Sequence, residues 1–258
     1  MNSFFHRVPA AILVLALTAC STNPADSEGQ RARRIADTNI QLGIAYMREG
    51  DFDTALVKLQ KALEANPDSA TVHGTLAILY ENIGENELAE KHFKTALRLS
   101  PQDPQTHNNY GQYLCRHGKY PEALEQLKIA ASDPLYPGIA ASLTNAGICA
   151  GSIPDARQAE EYFRKALEHD QNYPYALLQM ADLMFTHGNN LAARAYIQRF
   201  DGVSKPSAES LWLGVRIENA LGDMSAAGDY ALKLKNNFPN TKEAVSLREW
   251  ENEHRRQQ

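Results

Sequence analysis

The chain has 258 residues, 43% hydrophobic and 22% charged, with a formal net charge of −5. That is enough apolar material for one or two folded bodies. The acidic balance argues against a nucleic-acid binder, which shows a basic face.

The chain opens MNSFFHRVPAAILVLALTAC, with Arg7 ahead of an apolar run from Val8 to Leu17. Ten residues are too few to cross a hydrocarbon core of about 30 Å as a helix. A positive start followed by a short apolar run has the form of a secretory signal peptide, expected over residues 1–19. The ending Leu17-Thr18-Ala19-Cys20 resembles the bacterial lipobox, in which cleavage falls before the cysteine and the thiol receives a diacylglycerol. The alternative is an ordinary signal peptide with a coincidental cysteine. Acyl chains on Cys20 would anchor the protein, each buried CH₂ contributing about 0.8 kcal/mol. Ser21 stands where an Asp would signal otherwise; by resemblance to the Gram-negative sorting rule, this implies the outer membrane, with the protein facing the periplasm. Residues 20–35 carry Pro24, Gly29 and no apolar periodicity, and read as a flexible tether.

From residue 36 a period appears. Leu42, Gly43, Tyr46, Ala55, Leu59, Ala62 and Pro67 return 34 residues later as Leu76, Ala77, Tyr80, Ala89, Phe93, Ala96 and Pro101. Tyr110, Gly111, Leu114, Ala123, Leu127 and Ala130 follow at the next step. Ile40, Gly43, Ile44 and Met47 mark one face of a helix, Gly50 supplies a turn, and Pro67 ends the second helix of the unit. This order of small and bulky residues resembles the tetratricopeptide repeat, with its period of about 34 residues.

The expected fold is all-α: a right-handed superhelical solenoid of six helix pairs at 36–69, 70–103, 104–137, 140–173, 174–206 and 207–240. Two residues are inserted near 134–139, Pro154 replaces the turn glycine of repeat four, and Phe200 replaces the third small residue of repeat five. A capping helix lies in 241–258, with Trp250 packing on repeat six and the last eight polar residues frayed.

No catalytic motif emerges. There is no HisGluXaaXaaHis, GlyXaaSerXaaGly, phosphate-cradling glycine loop or CysXaaXaaCys. His73 and His107 share one repeat position, and His117 and His187 share another, so they stand a repeat apart rather than around one metal. The expectation is therefore no enzyme, no metal or cofactor, and no small-molecule substrate. The remaining cysteines, Cys115 and Cys149, come late in the first helices of neighbouring repeats. In an oxidising periplasm they can form a disulfide across the irregular junction; otherwise they are two small buried hydrophobes.

With no chemistry in view, the concave groove of the solenoid becomes the functional surface. Repeat phase assigns to it Ile40, Ile44 and Met47, then Ile78, then Asn108, Gln112 and Arg116, and finally Tyr175, Leu178 and Phe185. An apolar stretch beside a polar one suits an extended or helical peptide. Ile40 and Met47 of the first repeat, nearest the anchor, are expected to make first contact with the partner.

Several stretches carry a closer resemblance: AsnAsnTyrGlyGlnTyrLeuCys at 108–115, GlyLysTyrProGluAla at 118–123, AspProLeuTyrPro at 133–137 and AsnAlaGlyIleCysAla at 145–150. IleGlnLeuGlyIleAlaTyr at 40–46 and GlnMetAlaAspLeu at 179–183 also fit. Together with the lipobox, they make the chain resemble the PilF/PilW family of type IV pilus biogenesis lipoproteins, the pilotins. The resemblance implies an outer-membrane accessory that helps secretin subunits reach the membrane and assemble, and, in some members, support of pilus stability. It also implies the Cys115–Cys149 bond found in family members carrying both cysteines. The other reading is a general envelope scaffold binding other outer-membrane or cell-wall proteins.

Overall fold

The computed structural model describes residues 24–153 and 156–256, and among them every regular element is a helix. Six antiparallel pairs follow in order: α1 (Pro24–Glu49) with α2 (Phe52–Ala65), α3 (Ala70–Asn82) with α4 (Asn86–Leu99), α5 (Pro104–Arg116) with α6 (Tyr120–Ser132), α7 (Ile139–Gly151) with α8 (Ala156–His169), α9 (Pro174–Thr186) with α10 (Asn190–Val203), and α11 (Ala208–Ala220) with α12 (Met224–Asn237). Helix α13 (Lys242–Arg256) closes the stack. The architecture is a tetratricopeptide-type solenoid.

Local chemistry sets each hairpin. Gly50, Gly84, Gly118, Gly188 and Gly222 turn the chain with φ between 73° and 82°, a region costly for residues bearing a Cβ. Side chains of Asp51, Ser69, Asp103, Asn189, Ser207 and Asp223 accept first-turn N–H groups and start the helices that follow. Within a pair the backbones approach closely. A Cβ on Gly43 would lie 2.7 Å from Leu59 Cγ, and one on Gly111 would lie 2.6 Å from Leu127 Cγ. The small residue on the first helix is thus the seat for the bulky residue on the second.

First helices touch one another in the order α1, α3, α5, α7, α9, α11, α13 and form the inner row. Each second helix packs back on the first helix of the next pair. The core runs along these joints. A main cluster extends from Ala77 and Phe93 to Leu213 and Ile217, a smaller one surrounds Leu59 and Leu76, and a third surrounds Leu211, Leu234 and Leu247, with Trp250 packed on it.

Two expectations are corrected. Residues 24–35 are not a tether but the first turns of α1. Pro24 occupies a helix-starting position, the segment is rich in Ala, Arg, Glu and Gln, and Ala36 is buried where the helix meets the stack. The signal segment 1–19, the lipidation site Cys20 and Pro154 lie outside the described residues. At the other end, α13 continues through Arg256 across the polar stretch expected to fray. Lys235 Nζ lies 2.6 Å from Glu251 Oε1 and ties that stretch to α12. At 133–138 the chain makes a short excursion: Leu135 N–H donates to Asp133 Oδ1 at 2.9 Å, and Tyr136 O–H donates to Gln105 Oε1 at 3.3 Å.

A candidate partner-binding groove

On helices of 3.6 residues per turn, side chains three and four apart share a face, and the inner row presents such stripes side by side. Gln112, Cys115 and Arg116 of α5, Asn145 and Ile148 of α7 and Tyr175 of α9 enclose a pocket of about 140 Å³. A second pocket of about 310 Å³ shares Ile148 and continues past Gln179, Asp182 and Thr186 of α9. The two form one groove across repeats three to five.

The charges along this groove are matched. Arg116 donates from Nε and Nη2 to both oxygens of Glu81 on α3, each at 2.8 Å, a bidentate arrangement that fixes the guanidinium plane. At the far end, the Arg216 guanidinium lies 4.5 Å from the Phe185 ring centroid and 3.9 Å from the Asp182 carboxylate. Beneath the groove, Cys115 and Cys149 are joined as a disulfide, with Cα atoms 5.7 Å apart, linking α5 to α7.

Of the residues assigned to the groove from sequence, Gln112, Arg116 and Tyr175 meet at the first pocket. Ile40, Asn108 and Leu178 do not face it: they are 6%, 5% and 4% exposed. Ile40 and Leu178 fill joints between neighbouring helices, so Ile40 is withdrawn as a first contact. Asn108 Oδ1 accepts from Ser142 Oγ at 3.1 Å and from Asn145 Nδ2 at 3.0 Å. It is a buried polar clamp between repeats, not a surface reader. Ile44 and Met47 are half-buried against the first cluster, and Ile78 and Phe185 against the main one.

Sequence reasoning missed Asn145, Ile148 and Gln179. The signal was partial: Ile148 stands at the repeat phase of Gln112, and Asn145 and Gln179 share a phase three residues earlier.

Three histidines are held by partners within their own repeats. In repeat two, His73 Nε2 donates to Pro67 O at 3.0 Å, and its Nδ1 meets His92 Nδ1 at 2.9 Å. In repeat three, His107 Nε2 donates to Pro101 O at 3.0 Å, and Gln126 stands where His92 stood, 2.7 Å from His107 Nδ1. On the outer row, a concavity of about 510 Å³ is lined by Glu87, Glu90, Lys91, Lys94, Thr95 and Arg98, all on α4. Hydrogen bonds from Lys119 and Lys94 hold the Glu90 carboxyl down to about 2. This is a solvated ion-pair face rather than a binding cleft, and the inner groove is the better-built surface.

Comparison with known proteins agrees with this architecture. Tetratricopeptide-repeat profiles match residues 46–105 and 92–125. The type IV pilus assembly protein PilF of Pseudomonas aeruginosa is 34% identical over 236 residues, covering 90% of this chain and 93% of its own. A solved structure of Pseudomonas aeruginosa PilF superposes with a TM-score of 0.73 at 34% identity, over 86% of this chain and 99% of its own. The structure of PilW, described as a widely conserved type IV pilus biogenesis factor, gives a TM-score of 0.73 at 29% identity, over 83% of this chain and 98% of its own.

Proposed function

The chain belongs to the PilF family of type IV pilus biogenesis proteins built from tetratricopeptide repeats, and on that footing we propose that it is a pilotin. It is held at the periplasmic face of the outer membrane by acyl chains on Cys20. There it binds a secretin subunit in the groove of repeats three to five and promotes secretin localisation and assembly into the pilus channel.

The observation that carries this reading is the groove itself: Gln112, Arg116, Asn145, Ile148 and Tyr175 come from three different helices to line one pocket. A repeat solenoid presents an extended concave surface for another chain, and a groove that is part apolar and part amide-lined suits a polypeptide segment.

The test is secretin assembly in cells. Deleting the protein depletes secretin oligomers in the outer membrane, and Cys20→Ser releases the protein from the membrane with the same depletion. Normal oligomer levels in the deletion strain overturn the secretin role.

A further inference from the structure

A line of polar side chains crosses from repeat three to repeat four and fixes one amide at the groove wall. Asn108 of α5 is 5% exposed. Its Oδ1 accepts from Ser142 Oγ at 3.1 Å and from Asn145 Nδ2 at 3.0 Å, both on α7. Its Nδ2 donates to Asn109 Oδ1 at 3.4 Å. That oxygen also accepts from Gln105 Nε2 at 2.9 Å, and Gln105 Oε1 in turn accepts from the Tyr136 hydroxyl at 3.3 Å. The bonds converge on Asn109 Oδ1, so Asn108 turns its NH₂ group toward Asn109 and its oxygen toward α7.

The consequence falls on Asn145. Its NH₂ group is held by Asn108, and its Oδ1 accepts no hydrogen bond among the described residues. Every buried side-chain N or O atom among those residues has a partner, so an oxygen without one is open to solvent. Asn145 lines the smaller pocket, with Gln112, Arg116, Ile148 and Tyr175. A free side-chain amide both donates and accepts; this one is held with its oxygen outward.

The neighbours do not duplicate this acceptor. Asn109 stands at the same phase one repeat earlier, but its oxygen is already taken by Gln105 and Asn108. Arg116 carries only donors and spends two of them on Glu81. A group fixed before the partner arrives loses less rotamer freedom when it binds, so the clamp strengthens whatever contact Asn145 makes.

We propose that Asn145 is a hydrogen-bond acceptor for the segment docked in repeats three to five, that Asn108 is the residue that positions it, and that the segment carries an N–H or O–H donor at this point. This rests on the groove being the docking surface of the reading above, and specifies the chemistry it reads there.

The test uses the full chain in detergent and the purified periplasmic part of the secretin, with dissociation constants from biolayer interferometry and a thermal melt for each variant. Asn145→Leu removes the acceptor and weakens binding about fivefold, the equivalent of about 1 kcal/mol for one hydrogen bond. Asn145→Asp keeps an oxygen at the groove and binds like the parent. Asn108→Leu releases the Asn145 amide and weakens binding, whereas Asn108→Asp keeps an acceptor facing α7 and restores it. If Asn108 served stability alone, binding would follow the melting temperature, and Asn108→Asp would rescue nothing.

Asn145→Asp binding as weakly as Asn145→Leu overturns the proposal, as does binding by the two Asn108 variants that simply follows their melts. Both results leave the secretin reading intact, because the parent chain still binds. No binding of the secretin by the parent chain overturns that reading and the proposal with it.

Discussion

Arg194 of α10 reaches across the joint between repeats five and six and donates to both carboxylate oxygens of Glu218 on α11, whose side chain is 3% exposed. Repeat five departs from the repeat pattern at Phe200, yet Phe200 is buried in the main cluster. Removing one partner of a buried pair leaves an uncompensated charge. Arg194→Ala is therefore expected to lower the urea midpoint by leaving the buried Glu218 carboxylate without its partner, whereas Arg194→Met combined with Glu218→Leu stays closer to the parent. Equal losses in both would show that packing, not the charge, holds the joint.

The close approach at Gly111 is equally specific. An added Cβ meets Leu127 Cγ at 2.6 Å and the carbonyl oxygen of Ala123 at 3.1 Å, and that backbone atom cannot yield. Gly111→Ala should destabilise by about 1–3 kcal/mol. At Gly74, inside α3, the nearest atom to an added Cβ is Thr106 Oγ1 at 3.7 Å. Gly74→Ala should be neutral or stabilising by up to about 1 kcal/mol, through lost freedom of the unfolded chain. Unfolding midpoints that rank the two variants the other way would contradict the packing account.

The Cys115–Cys149 bond closes a loop of 34 residues. Constraint of the unfolded chain over that length corresponds to about 3–4 kcal/mol. Because the bond spans the 133–138 excursion, its loss is felt where α5 meets α7, beneath the groove. Reductant, or Cys115→Ser with Cys149→Ser, should lower the urea midpoint and leave the far-ultraviolet spectrum helical. A midpoint unmoved by reductant would mean that packing alone holds this joint.

Acid should weaken repeat two. Burial, with smaller contributions from neighbouring His73 and Lys91, holds the His92 pKa down to about 4. The unfolded chain takes up this proton near the ordinary histidine value of about 6.5, and the folded chain does not until about pH 4. The stability tied to His92 is thus fully present above pH 6.5 and lost as pH falls toward 4. Repeat three has Gln126 at the equivalent place, so His92→Gln is a substitution the fold already uses. The expected result is a shallower fall in melting temperature between pH 7 and pH 4.5 for His92→Gln. Parallel falls would assign the acid sensitivity elsewhere.

Much of the fold is legible in the sequence because its determinants are local. Gly43 and Gly111 fix where helices cross, Gly50 and Gly118 fix the turns, and Asp51 and Asp103 start the helices that follow. What could not be read lies between repeats. Asn108 looks like a surface amide in its own repeat; only its partner Ser142, one repeat later, shows that it is buried. Ile40 occupies a groove phase but is drawn into the joint with α3, and Leu178 is drawn in likewise. Ile148 stands at the repeat phase of Gln112 and is open to the same reading once repeat four is set at 140–173, whereas Asn145 lies three residues earlier, at a phase not assigned to the groove. The helical start of α1 was hidden by Pro24 and Gly29, which read as linker residues until Ala36 is seen packed in the stack.

The central claim is that the inner groove of repeats three to five holds a secretin subunit. The most direct measurement is photocrosslinking in intact piliated cells, from a photoreactive residue in place of Tyr175 and, separately, in place of Glu87 on the outer face of α4. The prediction is a secretin adduct from position 175 that Ile148→Glu abolishes, and none from position 87. An adduct only from position 87, or none from position 175 while secretin oligomers still depend on the protein, would contradict it.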